Sequence, residues 1–150
     1  MKKRIPILPV LVLISAPVFA QGPFFWEGAL GVGVDGEKTL VRAQAGLSYE
    51  VTEHVEIGGS VFYQRVRRPS AQGDVSTSLL WARGLLPLTA DTTAFVEMGT
   101  QLAPITPTWG AGLRYHLTAQ QQVTVGYRYQ RDRQDDHDET LFMVGLRTAI

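Results

Sequence analysis

The densest run of potentially reactive side chains in the sequence is RDRQDDHDE, Arg131 to Glu139. Asp135, Asp136, His137 and Asp138 are the residue types that hold a hard cation or, as an aspartate–histidine pair, activate a water molecule. The run lacks the alternating ligands and central glycine of a calcium loop, and no second acidic pair stands in a comparable segment to complete a hydrolytic site. Its mixed charge predicts a solvated surface loop, in which these four residues would meet divalent ions held between phosphate groups. A second candidate is His116 with Thr118, where an imidazole two residues from a hydroxyl has the parts of an activated nucleophile. Arg67 and Arg68, followed by Pro69, form a concentrated basic patch that suits either an anionic contact or plain solvent. The glycine-rich GVGVDGEK would cradle phosphate only if it led from a strand into a helix. Both of its neighbours read as strands, so Asp35-Gly36 is a tight hairpin turn instead.

Strands must position all of these groups. WGAGLRYHLTAQQQVTVGYRYQR, Trp109 to Arg131, places Trp109, Ala111, Leu113, Tyr115, Leu117, Val123, Val125, Tyr127 and Tyr129 on one face, with Arg114, His116, Arg128 and Gln130 among glycines on the other. Alternation of period two marks a strand with one apolar and one polar face, and the short break TAQQ joins two such strands as an antiparallel hairpin. The pattern recurs over 25–35, 39–51, 55–66, 74–84, 92–102, 108–117, 122–131 and 139–150. Each segment is close to the roughly 9–11 residues with which a tilted strand crosses a bilayer. None carries a helical period.

The opening segment MKKRIPILPVLVLISAPVFA stands apart. Lys2, Lys3 and Arg4, an apolar run from Ile5 to Ile14, and a small residue at Ala20 give the order that marks a secretory signal peptide, cleaved after Ala20. The run is shorter than the ~20 residues of a spanning helix and is interrupted by Pro6 and Pro9. The expected division is therefore a signal peptide over 1–20 and one domain over 21–150. Without Lys2, Lys3 and Arg4 the 14 basic residues become 11 against 14 acidic ones, a net charge of about −3. Nucleic acid, which is held through phosphate contacts by cationic surfaces, is not an expected partner. The sequence has no cysteine, so disulfides, a lipid-modified N-terminal cysteine and thiolate metal or redox sites are all excluded. No metal or cofactor is expected.

The apolar phase of the first strand, with Trp26, Leu30, Val32 and Val34, continues as Val41, Ala43, Ala45, Leu47 and Tyr49, then Val55, Ile57, Val61 and Tyr63. It goes on through Val75, Leu79 and Trp81, then Ala94, Val96, Met98 and Leu102, and ends on Phe142, Val144, Leu146 and Ile150. Trp26, Tyr49, Tyr63, Trp109, Tyr115 and Tyr129 lie near strand ends, where aromatic side chains sit at membrane interfaces. The opposite phase carries Glu27, Glu50, Glu56 and Glu97 with Arg42, Arg114, Arg128, Arg147 and His116, separated by glycines, as a crowded lumen requires. Buried charges are tolerable when paired, and four carboxylates can pair with four guanidinium groups. These residues are the predicted interior ion-pair network, with His116 bonded to Glu56 or Glu97.

Whether the apolar face meets a core or a bilayer turns on its charges. An Arg there costs about 2–4 kcal/mol at the bilayer midplane and little near the edges. Arg65 and Arg83 fall on that phase, both at strand ends, so lipid fits. Closing an antiparallel sheet also removes edges that hydrocarbon cannot satisfy. The expected fold is all-β, an eight-stranded antiparallel up-and-down transmembrane β-barrel. An even strand number puts both termini on one side, with turns at 52–54, 85–91 and 118–121. The loops at 36–38, 67–73, 103–107 and 132–138 then face the other way.

The hairpin GAGLRYHLTAQQQVTVGYRYQR, with Gly-x-Gly-aliphatic-x-Tyr, a short polar turn and Gly-Tyr-Arg-Tyr, followed by the final strand TLFMVGLRTAI, resembles the late strands of the small OmpA-like eight-stranded barrels of Gram-negative outer membranes. That resemblance implies an outer-membrane location, periplasmic termini, contact with outer-membrane lipid and lipopolysaccharide, and insertion by the outer-membrane assembly machinery. It further implies a monomer with a structural or surface-interaction role, or a narrow pore, and no enzyme activity. Such barrels end on Phe or Trp, whereas this chain keeps the alternation to its carboxylate and ends on Ile150. His116-x-Thr118 is similar to the His-x-Ser of the barrel lipid A deacylases, with threonine for serine and at the periplasmic end. Asp136-His137 is similar to a pair in larger outer-membrane proteases. Two alternatives stand beside the main expectation. One is a barrel enzyme acting on outer-membrane lipid; the other is a soluble periplasmic barrel with its faces reversed, so that Trp109, Leu113 and Tyr127 line a ligand-binding lumen.

Overall fold

The computed structural model describes residues 24–35, 38–67, 72–102, 105–131 and 138–150. The segment 1–20 expected as a signal peptide lies outside these residues. Period-two alternation becomes eight strands: β1 Phe24–Asp35, β2 Lys38–Thr52, β3 Val55–Arg67, β4 Gln72–Pro87, β5 Thr92–Leu102, β6 Ile105–His116, β7 Gln121–Arg131 and β8 Asp138–Ala149. Each strand pairs antiparallel with the next, and β8 returns to β1, so the sheet closes as a barrel. Partners followed from Phe24 through Tyr49, Ile57, Ala82, Met98, Trp109, Tyr129 and Thr140 lead back to β1 at Val34, 10 residues beyond the start. That stagger tilts the strands by about 35–45°, and eight strands leave a lumen just wide enough for side chains to fill.

β4 and β6 extend furthest beyond the sequence pattern. β4 runs on through Leu85 to Pro87, which pairs with Thr93, so the turn is confined to 88–91. β6 begins at Ile105, upstream of Pro107. Among the described residues β7 pairs with β6 from Thr108 onward, so Pro107 is paired on the β5 side alone, an edge position in which proline is tolerated.

The outward phase is apolar and exposed: Leu30, Val32, Val41, Ile57, Leu80, Val96, Met98, Leu113, Val125 and Val144 ring the barrel. Trp109, Leu113 and Tyr127 belong to this outer surface, with Trp109 59% and Tyr127 58% exposed, so the reversed barrel is not the one formed. Aromatic side chains pair across strands near the rims, Phe24 with Tyr49 at 4.8 Å and Trp109 with Tyr129 at 5.1 Å between ring centroids.

β4 corrects the expected phase. Leu79 and Trp81 are buried in the lumen, where they form a cluster with Phe62, and the outward phase is Ser76, Ser78, Leu80, Ala82, Gly84 and Leu86. Both phases of β4 carry large apolar residues, so hydrophobicity alone does not choose between them. Arg83 does: its charge goes inside, with the guanidinium carbon 3.8 Å from the Trp81 ring centroid. Arg65 stays on the exposed face.

Glycine makes the crossing possible. A Cβ on Gly58 would strike the Trp81 ring, and one on Gly126 would lie 2.5 Å from the Ala111 carbonyl oxygen and 2.9 Å from the Gly112 Cα. With Gly46, Gly99, Gly110 and Gly112 also closely approached by neighbouring strands, large side chains have room to reach across the lumen.

Candidate functional site

The charged lumen brings together residues from distant parts of the chain. Nearest the chain termini, Arg83 contacts Glu27 at 2.7 Å, Glu97 at 2.8 Å and Glu56 at 3.0 Å. Arg147 reaches Glu27 at 2.9 Å, Glu50 at 3.4 Å and also Glu56. Arg114 meets Glu56 at 2.9 Å and Glu50 at 3.9 Å. Higher in the barrel, Arg128 pairs with Glu97 at 2.6 Å and donates to the Gln44 side-chain oxygen at 2.8 Å. Guanidinium planes lie against rings, Arg147 at 3.5 Å from the Phe25 centroid and Arg42 at 3.8 Å from that of Phe62. Such contacts add cation–π attraction to the ion pairs and place the positive planes without a water shell.

Towards the loop end the chemistry changes from ion pairs to amides. Arg42 donates from Nε and Nη2 to the Gln64 oxygen at 2.9 and 2.6 Å, Gln64 in turn donates to Glu139 at 3.5 Å, and Gln130 donates to Gln101 at 2.8 Å. Arg42 therefore lies apart from the expected ion cluster, while Glu27, Glu50, Glu56, Glu97, Arg114, Arg128 and Arg147 meet within it. His116 also departs from expectation. Its ring bonds to Gln122, its cross-strand partner, at 3.3 Å, because it stands at the rim of β6 and Glu56 is already surrounded by Arg83, Arg114 and Arg147.

Two lumen residues lie outside the predicted network. Arg83 had the phase of the lipid face, and Glu139, the first residue of the expected last strand, was not counted in the network. Both are buried. Including them, the described lumen holds Glu27, Glu50, Glu56, Glu97 and Glu139 against Arg42, Arg83, Arg114, Arg128 and Arg147, which is five of each sign. The signal for Glu139 was its spacing from Leu141 and Arg147, since all share one phase of β8.

Of the expected surface contacts, Asp138 is exposed opposite Arg131, and Arg67 sits in the last rung of β3 opposite Gln72. Arg68, Asp135, Asp136 and His137 lie outside the described residues. Thr118 is not held against His116; its hydroxyl oxygen accepts the backbone N–H groups of Gln120 at 3.2 Å and Gln121 at 3.0 Å, which closes the β6–β7 turn. Among the described residues no group of three metal-binding side chains converges. The lumen retains a cavity of about 40 Å³ beside Glu27, Gln44, Glu97, Thr124 and Arg128, enough for about three water molecules.

No protein-family model and no curated protein matches the chain. Solved structures do share its fold. Neisserial surface protein A superposes with a TM-score of 0.61 at 14% identity, over 86% of this chain and 98% of that one. The N-terminal β-barrel domain of Pseudomonas aeruginosa OprF gives 0.56 at 17% identity, over 85% and 99%. The outer membrane enzyme PagL gives 0.53 at 14% identity, over 83% and 99%. At these identities the likeness is one of fold, a closed eight-stranded barrel common to transmembrane proteins of different activities.

Proposed function

We propose that this protein is an integral outer-membrane barrel acting as a structural or surface-contact component of the cell envelope, and that it is not an enzyme. One observation carries the reading: the closed sheet is apolar all round its outside and holds five carboxylates and five guanidinium groups inside. In water that outer surface would be an exposed patch far beyond the few hundred Å² of an ordinary monomer, whereas in a bilayer it is the surface that faces lipid. The tight turns at 53–54, 88–91 and 117–120 lie on the side of the chain termini, as periplasmic turns do.

The lumen supports a plug more than a pore. Arg83 and Arg147 each bind carboxylates from several strands, and the cavity of about 40 Å³ beside Arg83 is small. The single chain closes its own sheet, which supports a monomer. Arg67, Arg68, Asp135, Asp136, His137 and Asp138 then belong to the rim that meets lipopolysaccharide, and β8 to the strand presented to the assembly machinery. Against a lipid-modifying enzyme stands the Thr118 hydroxyl, already engaged as a turn acceptor.

The chain has no cysteine, so single substitutions give clean labels. Cysteines at Ser70 and Gln134 are expected to react with a membrane-impermeant maleimide in intact cells, and one at Gln120 only after the outer membrane is opened. Protein that washes out with the periplasm, unlabelled at both outer positions in intact cells, would overturn the reading.

A further inference from the structure

Gln122 stands between two side chains and gives each a different end of its amide. Its Oε1 accepts Arg147 Nη1 at 2.7 Å, and its Nε2 lies 3.3 Å from His116 Nδ1. A guanidinium group has donors and no acceptor, so Arg147 fixes which end of the amide is the oxygen. The amide nitrogen then faces the imidazole and donates to it, and Nδ1 is the acceptor. The neutral His116 ring therefore carries its proton on Nε2. The register builds this row: His116 is opposite Gln122 in the last rung of β6–β7, and Gln122 is opposite Arg147 on β7–β8. Gln122 is 4% exposed and Arg147 is fully buried, while His116 is half-buried at the rim.

The charged groups packed around this corner have other partners. Arg114 shares the inward face of β6 and binds Glu56 of β3 and Glu50 of β2. Arg147 on β8 holds the same two carboxylates. On the β5 side Asp91 accepts the His116 backbone N–H at 2.8 Å through its carbonyl oxygen, and on the β2–β3 turn Glu53 pairs with His54. The turn 117–120 carries no charge. Among the described residues no carboxylate pairs with the His116 ring, and Gln122 is its hydrogen-bond partner.

Protonation turns Nδ1 from an acceptor into a donor. Gln122 then meets N–H groups on both sides with one oxygen to offer. Arg147 is buried and has no water to replace that oxygen, whereas an imidazolium at the rim can be solvated, so the ring is the group that leaves. We propose that His116 is a pH-operated latch on this mouth of the barrel, shut over Gln122 when neutral and released to water when protonated, which uncovers Gln122 and the ion cluster behind it. The contact belongs to the neutral ring, so it is lost as pH falls. The latch stands on the lumen geometry alone; the membrane reading above serves only to name this mouth periplasmic.

The test uses the ¹⁵N-labelled protein in detergent micelles. Imidazole nitrogen shifts give the tautomer and follow protonation, and a water-soluble gadolinium chelate reads the exposure of the ring protons. The expected result is the Nε2–H tautomer at pH 8, with exposure of the ring rising as it titrates towards pH 5. The closed-to-released ratio should fall roughly tenfold or more, since one hydrogen bond is lost and a donor is set against a donor. An Nδ1–H tautomer at pH 8 would overturn the latch, as would a ring whose exposure is the same at pH 5 as at pH 8. Gln122→Glu supplies a carboxylate that accepts from Arg147 and from an imidazolium alike, so its ring is expected to stay shut at pH 5. Release as full as in the native protein would remove the donor clash as the cause; if this variant does not fold, the native titration decides by itself. The same titration in a protein that stays soluble without detergent would sink the membrane reading and leave the latch standing.

Discussion

Replacing Glu56 with glutamine removes one charge and almost no volume from the centre of the ion cluster. Glu56 is fully buried and receives Arg114 at 2.9 Å, Arg83 at 3.0 Å and also Arg147. The three arginines do not lose equally. Arg83 keeps Glu27 at 2.7 Å and Glu97 at 2.8 Å, and Arg147 keeps Glu27 at 2.9 Å and Glu50 at 3.4 Å. Arg114 keeps only Glu50 at 3.9 Å, and its Nε has no hydrogen-bond partner. The loss therefore falls on Arg114, and stranding one member of a buried pair costs about 3–5 kcal/mol. Adding Arg114→Gln restores neutrality, so the double variant is expected to be more stable than the summed single losses imply, by about 0.5–3 kcal/mol. Denaturant unfolding in lipid vesicles, followed by tryptophan fluorescence and by the mobility of the folded band on unheated gels, gives all four stabilities. A Glu56→Gln protein within about 0.5 kcal/mol of the parent, the range of an unremarkable surface change, would refute the buried network. Single effects that simply add would refute the Glu56–Arg114 contact.

Two further perturbations probe the outside of the barrel and its walls. Met98→Arg places a cation on the most exposed large apolar residue, 74% exposed. It is expected to cost about 2–4 kcal/mol in a bilayer, and an unchanged unfolding midpoint in vesicles would count against lipid contact at that face. Gly126→Val forces a Cβ to within 2.5 Å of the Ala111 carbonyl, whereas Gly84→Ala meets only the Val96 side chain at 3.4 Å. The first is expected to abolish the compact folded band on unheated gels and the second to leave it; equal behaviour would contradict the inward–outward assignment of these glycines.

The strands were legible because period two is a local property. Val41 and Arg42, or Leu113 and Arg114, declare opposite faces whatever lies elsewhere in the chain. What was not legible is which inward residues meet, because that depends on the 10-residue stagger, a property of the whole closed sheet. Glu56 and Arg147 are 91 positions apart and touch across the lumen, while His116 lies too near the rim to reach Glu56 and turns to Gln122. Arg42 shares its phase with the ion cluster but stands higher in the barrel, beside Gln64 and Phe62. The start of β6 was hidden for a different reason. Pro104 and Pro107 are loop signals in most contexts, and among the described residues Pro107 has no β7 partner, which makes a strand acceptable there.

β4 shows what a global constraint adds to a local one. Its two phases, Leu79, Trp81 and Leu85 against Leu80, Ala82 and Leu86, are too alike in hydrophobicity to decide which faces lipid. Electroneutrality decides it once Glu139 is counted with Arg147 on the inward phase of β8. The lumen then holds five carboxylates, and four arginines leave one of them uncompensated in a space with almost no water. A fifth inward cation is required, and Arg83 is the remaining arginine within the membrane-spanning part of a strand, since Arg65, Arg67 and Arg131 lie at the loop rim. Turning Arg83 inward carries Trp81 and Leu79 with it, and the Trp81 ring is accommodated because the facing position on β3 is Gly58. The charge count therefore fixes the phase of a strand that its own residues leave open, and the glycine opposite is the local feature that makes this phase packable.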